Sequence, residues 1–298
     1  MNNILVIIVT YNGMQWIKAC LDSLHQSTVI PTIFIIDNGS TDGTQKYIKE
    51  HYPEVFFQQS EVNIGFGRAN NIGLQYAIDN NYDYVYLLNQ DAWVLPDTIS
   101  NLVRISQIHP DYGILSPFQM SADEYSIDPN FSSRLKTWGC YAEMTNDMYN
   151  GCLKDVYDVE GVMAAHWFMT RKCLEIVGGF SPTFPHYGED DNYAERVRYK
   201  GLKIGVVPKL KVVHDRMLRK DDNAKKIYKN YMKSLVYLSS PYKSTKQTLL
   251  FSFRKSVNSS WKYKTIKPIA NFCNVIRNLN VIKKNKHITM FKECAFLN

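Results

Sequence analysis

Residues 4–12 read ILVIIVTYN, and residues 32–37 read TIFIID; these two stretches decide the fold. Both are short, unbroken runs of β-branched and aliphatic residues, as expected of strands that are buried on both faces of a parallel sheet. Between them, Met14–Ser27 carries apolar residues at helical spacing. Strands that alternate with helices in this way predict a doubly wound, mostly parallel α/β sheet with helices on both faces.

The alternation continues along the chain. Further strands are predicted at VFFQQS (55–60), at Tyr84–Asn89 and at YGILSP (112–117), and helices after residues 40–42, over 70–80 and over 97–109. Residues 120–160 mix polar residues with isolated aromatics, so mixed strands and loops are predicted there. A strand followed by a helix is predicted within 162–180, then a helix that ends at Gly201 and two late strands, LKIGVVP (202–208) and LKVVHD (210–215).

The charge is distributed unevenly over the 298 residues, although the net charge is only +7. Residues 1–215 hold 16 Lys and Arg against 25 Asp and Glu, a net charge of −9, whereas residues 216–298 hold 19 against 3, a net charge of +16. We therefore predict an acidic domain over 1–215. A basic helical C-terminal extension is predicted over 216–298.

The basic extension begins with a predicted amphipathic helix over 221–241, with Lys225, Lys229 and Lys233 on its polar side. This pattern predicts binding to an anionic membrane surface, and packing on the body of the protein is the alternative. No nucleic-acid-binding module is recognisable, so no nucleic-acid partner is expected. No signal peptide or membrane-spanning run is expected either, and the six scattered cysteines predict neither a disulfide framework nor a structural zinc site.

Asp37 ends the second predicted strand and precedes Asn-Gly-Ser. At the carboxyl end of a strand in an open α/β sheet, its carboxylate lies where such sheets bind ligands. There it could accept a hydrogen bond from the imide N–H of uracil or thymine, which adenine and cytosine lack. The alternative is a helix N-cap.

A glycine-rich turn, NIGFGRANNIG, spans Asn63–Gly73 and enters a predicted helix. Gly65 permits close approach of the backbone to a ligand, and exposed N–H groups at a helix start favour anions. Arg68 could add a charge-assisted contact to phosphate. The spacing does not match the dinucleotide-binding fingerprint.

Two further clusters suggest metal and proton chemistry. Asp91 follows a predicted strand, where a carboxylate that faces a diphosphate suits Mg²⁺ or Mn²⁺, and His214 ends a late strand. Glu189, Asp190 and Asp191 stand in a row before a predicted helix, and crowded carboxylates raise at least one pKa, as a general base requires. The alternatives are a turn aspartate, a structural histidine and an acidic helix N-terminus.

Taken in order, these motifs resemble family 2 glycosyltransferases, and within them the rhamnosyltransferase-like branch. The resemblance rests on IVTYN, DNGSTDGT, NIGFGRANNIG, LLNQDAWV and HYGEDDNYAERVRYKG, and it covers roughly residues 4–215. It implies that residues 1–215 form a catalytic domain with the GT-A fold, with a nucleotide-sugar-binding half (1–115) and an acceptor-binding half (116–215). It also implies transfer of a sugar from a nucleotide diphosphate, with inversion and with Mg²⁺ or Mn²⁺. The chain lacks the Gln-x-x-Arg-Trp signature of the processive members, so single transfers are expected.

The resemblance also implies roles for individual residues. Asp190 would be the catalytic base with Glu189 beside it, and Asp91 and His214 would contact the metal. The implied nucleotide-binding residues are Thr10, Tyr11, Asn12, Asp37, Asn63, Gly65, Arg68, Asn89 and Gln90. The implied acceptor-binding residues are Trp167, Asp191 and Arg198. Arg196 could reach the diphosphate or the acceptor.

The expected function is transfer of a sugar from a UDP- or dTDP-sugar to a hydroxyl of a glycan or polyprenyl-linked saccharide, in cell-surface polysaccharide biosynthesis. The resemblance to the rhamnosyltransferase-like branch favours dTDP-rhamnose as the donor. The expected location is cytoplasmic, peripheral on the inner face of the membrane, and a homodimer is left open. The alternative function is a non-catalytic nucleotide-sugar-binding subunit of an assembly complex. A nucleotidyltransferase is disfavoured, because TYNGMQWIK lacks its basic glycine-rich loop. A paired-carboxylate glycosidase would need neither Asp37 nor the Asn63–Gly73 turn.

Overall fold

A computed structural model describes residues 3–216 and 222–298. The strands in this part of the chain are β1 Ile4–Thr10, β2 Thr32–Asp37, β3 Phe56–Gln59, β4 Tyr84–Asn89, β5 Ala92–Val94, β6 Tyr112–Met120, β7 Tyr157–Asp158, β8 His166–Thr170 and β9 Lys203–His214. The helices up to β9 are α1 Ile17–His25, α2 Thr44–His51, α3 Phe66–Asp79, α4 Thr98–Ile108, α5 Pro129–Trp138, α6 Tyr141–Tyr149, α7 Arg171–Val177 and α8 Glu189–Tyr199. Four helices follow: α9 Asn223–Ser239, α10 Thr245–Tyr263, α11 Lys267–Arg277 and α12 Leu279–Phe291.

All of these strands belong to one sheet with the order β3-β2-β1-β4-β8-β6-β9-β5, and β7 pairs with β9. The β3-β2-β1-β4 half is parallel throughout. In the other half, β8 runs antiparallel to β4 and β6, while β6 and β9 are parallel. The predicted α/β fold with a mostly parallel sheet is therefore confirmed.

The sheet is covered on both faces because its strands are apolar on both sides. In β1, Leu5 and Ile7 point into the core beneath α3, α7 and α8, whereas Val6 and Ile8 point into the core beneath α1, α2 and α4. All four side chains are fully buried, and burying one such side chain is worth about 1.5–3 kcal/mol. A polar residue at any of these positions would lose that contribution.

Residues 120–160 differ from the prediction of mixed strands and loops, because they contain α5 and α6. The start of α5 has an N-cap that is visible in the sequence: Asp128 Oδ1 accepts a hydrogen bond from the backbone N–H of Phe131, and Pro129 occupies the first turn. The two late strands predicted over 202–215 are also one strand, β9, with a register shift where it pairs with Pro117 and Phe118 of β6.

The basic C-terminal helices pack on the body of the protein. Phe184, in the loop before α8, lies in an apolar cluster with Met232, Leu235, Val236 and Leu238 of α9. The last residues also dock, since the backbone N–H of Gly179 donates to the carbonyl of Ala295 at 2.7 Å. Asp221, where the amphipathic helix is predicted to start, lies outside the described residues. Among the described helices, none combines the length and apolar character that a bilayer crossing requires.

Candidate active site

Asp37 ends β2 and its side chain is fully buried. Its carboxylate accepts hydrogen bonds from Thr10 Oγ1 at 2.9 Å, from the backbone N–H of Ser40 at 3.0 Å and from Gln45 Nε2 at 2.7 Å. It therefore ties the end of β1 to the loop that starts α2. Because the Asp37 side chain is fully buried, a nucleobase can reach its carboxylate only if the surrounding residues move, and the contact stays a prediction.

Tyr11 and Asn12 form the exposed loop after β1, next to the end of β4. Gln90 holds this loop through two hydrogen bonds: Gln90 Oε1 accepts from the Tyr11 N–H at 2.9 Å, and Gln90 Nε2 donates to the Tyr11 carbonyl at 3.1 Å. Asn12 Oδ1 accepts from the Thr41 N–H at 2.8 Å. The structure thus brings together three of the predicted nucleoside-binding residues, and the Tyr11 ring remains about half exposed.

The glycine-rich turn approaches the loop before α8. Gly65 has a φ of +89°, and a Cβ at this position would lie 2.3 Å from the carbonyl oxygen of Pro185. Asn63 Oδ1 shapes the turn by accepting from the Gly65 N–H at 2.9 Å and from Asn38 Nδ2 at 3.0 Å. Arg68 is exposed in the first turn of α3. The turn therefore packs closely against the segment that precedes the acidic cluster.

Asp91 and His214 lie side by side because Ala92 of β5 pairs with His214 of β9. His214 Nε2 is 3.5 Å from Asp91 Oδ1, and His214 Nδ1 is 3.9 Å from Oδ2 of the buried Asp128. Burial raises the pKa of Asp91, but the hydrogen bond and charge of His214 and the charge of Arg216 outweigh it, so this pKa lies below its ordinary value. Asp91 therefore favours the ionised form that a metal ligand needs.

A divalent ion at this position would have few protein ligands. The described residues contain no group of three or more His, Cys, Asp and Glu side chains that could hold a metal. Asp91 and His214 supply one oxygen and one nitrogen, and Asp128 Oδ2, which has no hydrogen-bond partner, could orient the imidazole. The pair fits an ion that takes its other ligands from phosphate and water.

The acidic cluster occupies the first turn of α8. Burial, followed by the charges of Asp190 and Asp191, raises the pKa of Glu189. Burial and the charge of Asp190 likewise raise the pKa of Asp191, although Arg134 at 2.8 Å opposes this effect. Both outer carboxyls therefore bind protons more readily than exposed ones, and the half-buried Asp190 lies between them.

The cluster opens into a cavity of about 380 Å³, which we call the catalytic cavity. Its polar lining includes Asn89 at the end of β4, Arg134 on α5, Glu189–Asp191 on α8, Arg216 after β9, and Lys229 and Lys233 on α9. Asp37, Asp91 and His214 are absent from this lining. The structure therefore unites Asn89 with the acidic cluster in one cavity and leaves Asp37, Asp91 and His214 outside its wall.

Two predicted contacts are wrong. Trp167 cannot stack on an acceptor sugar, because it is fully buried, stacks against Phe180 and donates from Nε1 to the carbonyl of Val162 at 3.1 Å. Arg196 is also buried, and its Nη1 donates to the carbonyl of Gly179 at 2.7 Å, so it faces neither the diphosphate nor the acceptor. Arg198 lines a second cavity, together with Asp191, and its acceptor contact stays a prediction.

Four basic residues of the catalytic cavity were not predicted as site residues: Arg134, Arg216, Lys229 and Lys233. Arg134 lies in the segment that was predicted to be irregular. The two lysines were predicted on the polar side of a helix that lies on a membrane or packs on the body, and both line this cavity. The spacing of these lysines relative to the apolar residues of α9 predicted an amphipathic helix, but it did not indicate what the polar side of that helix would face.

The sheet, the strand-end loops and the acidic helix start define a glycosyltransferase with the GT-A fold. The chain belongs to glycosyl transferase family 2, whose model matches residues 5–155. It is 26% identical over 230 residues to the N-acetylglucosaminyl-diphospho-decaprenol L-rhamnosyltransferase of Mycobacterium tuberculosis, covering 70% of this chain and 75% of the relative. The predicted resemblance to the rhamnosyltransferase-like members is thereby confirmed.

Solved structures show the same fold at low sequence identity. The S. aureus TarS 1–349 structure in complex with UDP has a TM-score of 0.55 and 15% identity, covering 83% of this chain and 68% of that one. The mannosyltransferase PcManGT of Pyrobaculum calidifontis, in complex with GDP-Man and Mn²⁺, has a TM-score of 0.59 and 17% identity, covering 97% and 81%.

Proposed function

We propose that this glycosyltransferase makes single, inverting transfers from a UDP- or dTDP-sugar to a hydroxyl of a glycan or lipid-linked saccharide, in the assembly of a cell-surface polysaccharide. The observation that carries the proposal is Asp190, a half-buried carboxylate in the catalytic cavity between two carboxyls with raised pKa values. A carboxylate in this setting suits a general base.

In the proposed reaction, Asp190 takes the proton of the acceptor hydroxyl. The acceptor oxygen then forms a bond to the anomeric carbon while the bond to the diphosphate breaks on the opposite face, so the configuration inverts. Arg216 lines the same cavity and can stabilise negative charge on the departing diphosphate. A divalent ion held by Asp91 and His214 would supply further charge neutralisation when bound.

The donor assignment rests on the relatives and on the loop that holds Tyr11, Asn12 and Gln90. The mycobacterial relative is named as an L-rhamnosyltransferase, which supports dTDP-rhamnose as the donor sugar nucleotide. The same name includes a diphospho-decaprenol, which supports a lipid-linked acceptor here.

We also propose that the protein works at an anionic membrane surface on the cytoplasmic side. One side of α10 exposes Leu250, Phe251 and Trp261 next to Arg254 and Lys262. Apolar and basic side chains on one exposed helical face suit the interface of an anionic bilayer.

The test of the function compares Asp190→Asn with the wild-type protein. Sugar transfer from dTDP-rhamnose and UDP-sugars to a lipid-linked saccharide pool should fall about 10²–10⁴-fold, the usual contribution of a general base. Donor binding, measured as a nucleotide-dependent rise in melting temperature with Mn²⁺, should remain. The matched control is Asp79→Asn at the exposed end of α3, which should transfer at the wild-type rate.

Full activity in Asp190→Asn would refute the assignment of the base. A donor-dependent shift in melting temperature without transfer by the wild-type protein, for any donor or acceptor, would instead favour the non-catalytic nucleotide-sugar-binding subunit.

A further inference from the structure

A second cavity of about 490 Å³, which we call the basic groove, adjoins the catalytic cavity. The linings of the two have five residues in common: Ser133, Arg134, Asp191, Lys233 and Val236. They therefore meet at Arg134 and Lys233, next to the acidic cluster. A molecule with a hydroxyl at Asp190 can extend directly into this groove.

The groove carries four cationic side chains, from Arg134, Arg198, Lys233 and Lys243. Two of them rest on aromatic faces: the Arg134 guanidinium lies 3.9 Å from the centre of the Trp138 ring, and Lys243 Nζ lies 3.8 Å from the centre of the Tyr237 ring. An aromatic face holds a cation in place without neutralising its charge. The ion pairs found within residues 3–216 and 222–298 include neither Lys233 nor Lys243.

Two of the four cations are paired with carboxyls of the groove, since Arg134 Nη2 lies 2.8 Å from Asp191 Oδ1 and Arg198 Nη1 lies 3.7 Å from Glu160 Oε2. Glu160 is largely exposed at the edge of the groove, with 63% of its side chain accessible. The other two, Asp191 and Glu195, have pKa values that burial raises, so they favour the neutral form more than exposed carboxyls do. Four cations against three carboxyls give the groove a net positive charge, which Lys233 and Lys243 supply.

The outer end of the groove is aromatic. It joins a third cavity of about 410 Å³ that has Tyr237 and Lys243 in its lining and also includes Tyr242 and Phe251. The last two side chains are 54% and 51% exposed, and Phe251 belongs to the apolar and basic face of α10. The three adjoining cavities therefore form a path that starts at the acidic cluster, continues past the cations of the basic groove and ends at exposed apolar side chains.

We propose that this path binds an acceptor in which a sugar, a phosphate or diphosphate group and a hydrocarbon chain follow one another. The sugar hydroxyl lies at Asp190, the phosphoryl oxygens lie between Arg134, Lys233 and Lys243, and the hydrocarbon leaves past Tyr242 and Phe251 toward the membrane face. This inference rests on the proposed function. It assigns the acceptor's phosphoryl group to residues outside the predicted nucleotide site.

The test measures binding of farnesyl diphosphate by calorimetry, without donor or turnover. Lys233→Gln and Lys243→Gln should each weaken binding about tenfold, which is a typical effect of losing one charged hydrogen-bond partner. Inorganic diphosphate should bind more weakly than farnesyl diphosphate, because it lacks the hydrocarbon. Farnesol binding should be the same in all variants.

The matched control is Lys226→Gln, an exposed position on the same helix that lines none of the three cavities, and it should bind like the wild type. Equal binding of farnesyl diphosphate by all variants, or equal affinity for inorganic diphosphate, would overturn the proposal. So would a tenfold weakening of UDP or dTDP binding in Lys233→Gln, since the cations would then serve the donor. Because no step needs turnover, these outcomes are distinct from a failure of Asp190 as the base.

Discussion

His166 should make the stability of the protein depend on pH. Its side chain is fully buried, its Nε2 lies 3.0 Å from the carbonyl of Val213 and its Nδ1 lies 2.8 Å from the hydroxyl of Tyr86. The carbonyl can only accept, so Nε2 carries the proton and Nδ1 accepts from Tyr86 in the neutral ring. Burial, and then the charge of His214, lower the pKa of His166 from its ordinary value of 6.5 to about 3.

The sign and the size of the effect follow from this shift. Above pH 6.5 the ring is neutral in both the folded and the unfolded state, so its proton equilibrium does not alter stability. Between pH 6.5 and 3 the unfolded chain binds a proton that the folded protein excludes, so stability falls as the pH falls. Between pH 7.5 and 5.0, His166 should lower the free energy of unfolding by about 2 kcal/mol, because each pH unit below its unfolded-state pKa of 6.5 is worth about 1.4 kcal/mol.

The assay compares wild type with His166→Gln by urea unfolding at pH 7.5 and 5.0, in EDTA so that no metal contributes. The glutamine amide can donate to Val213, so the variant should fold, with lower stability at pH 7.5 but about 2 kcal/mol less acid sensitivity than the wild type. His51→Gln, at an exposed position on α2, should keep the wild-type acid sensitivity. If the free energy of unfolding falls equally in wild type and His166→Gln between pH 7.5 and 5.0, the idea that His166 is buried in its neutral form is refuted.

Two further predictions concern the acidic cluster and the glycine-rich turn. Glu189→Gln should raise the free energy of unfolding by about 1–3 kcal/mol near pH 8, because the raised pKa of Glu189 makes its ionisation unfavourable only in the folded state. This gain should shrink as the pH falls toward the ordinary glutamate pKa of 4.5. A difference in unfolding free energy that does not vary with pH would contradict this prediction. Gly65→Ala should lower the free energy of unfolding by about 2–4 kcal/mol, because its left-handed φ and the contact with the Pro185 carbonyl add to one another. The control is Gly151→Ala, where φ is +67° but no atom lies near the new methyl group, so the free energy of unfolding should fall by only about 1 kcal/mol. Equal losses at the two positions would show that the Gly65 turn can move to accommodate the new side chain.

The parallel half of the fold was predictable because its signals are local. The bounds of β2 and β4 match the predicted Thr32–Asp37 and Tyr84–Asn89, since unbroken β-branched runs bounded by polar residues do not depend on distant partners. Residues 120–160 were predicted wrongly, although the pair Asp128-Pro129 is a recognisable helix start. Most of the isolated aromatics there belong to α5 and α6, which bury only Phe131, Leu135 and Met144. Such narrow apolar sides give a weak periodic signal.

The site was less predictable, because the orientation of a side chain depends on pairing between distant segments. Trp167 has the residue type of a sugar platform, but β8 pairs with β4 so that Trp167 lies opposite Leu87, and this register directs the indole into the core. A shift of one residue would have sent it to the other face of the sheet. Residue type therefore indicates what a side chain can do, and register determines whether it can do it.

The surroundings of the α9 lysines could not be predicted from the sequence either, because they depend on how α9 packs on distant segments. Helical periodicity identified the apolar side of α9, and Leu235 and Leu238 are buried as this periodicity requires. The polar side, however, is defined only as the side that avoids the core, which is equally true of a helix on a membrane, in solvent or against a charged cavity. Here Phe184 anchors the apolar side of α9 next to the start of α8, so Lys229 and Lys233 line the cavity that holds the acidic cluster. An acidic body and a basic extension are therefore compatible in one fold, because carboxylates of α8 and lysines of α9 line the same cavity.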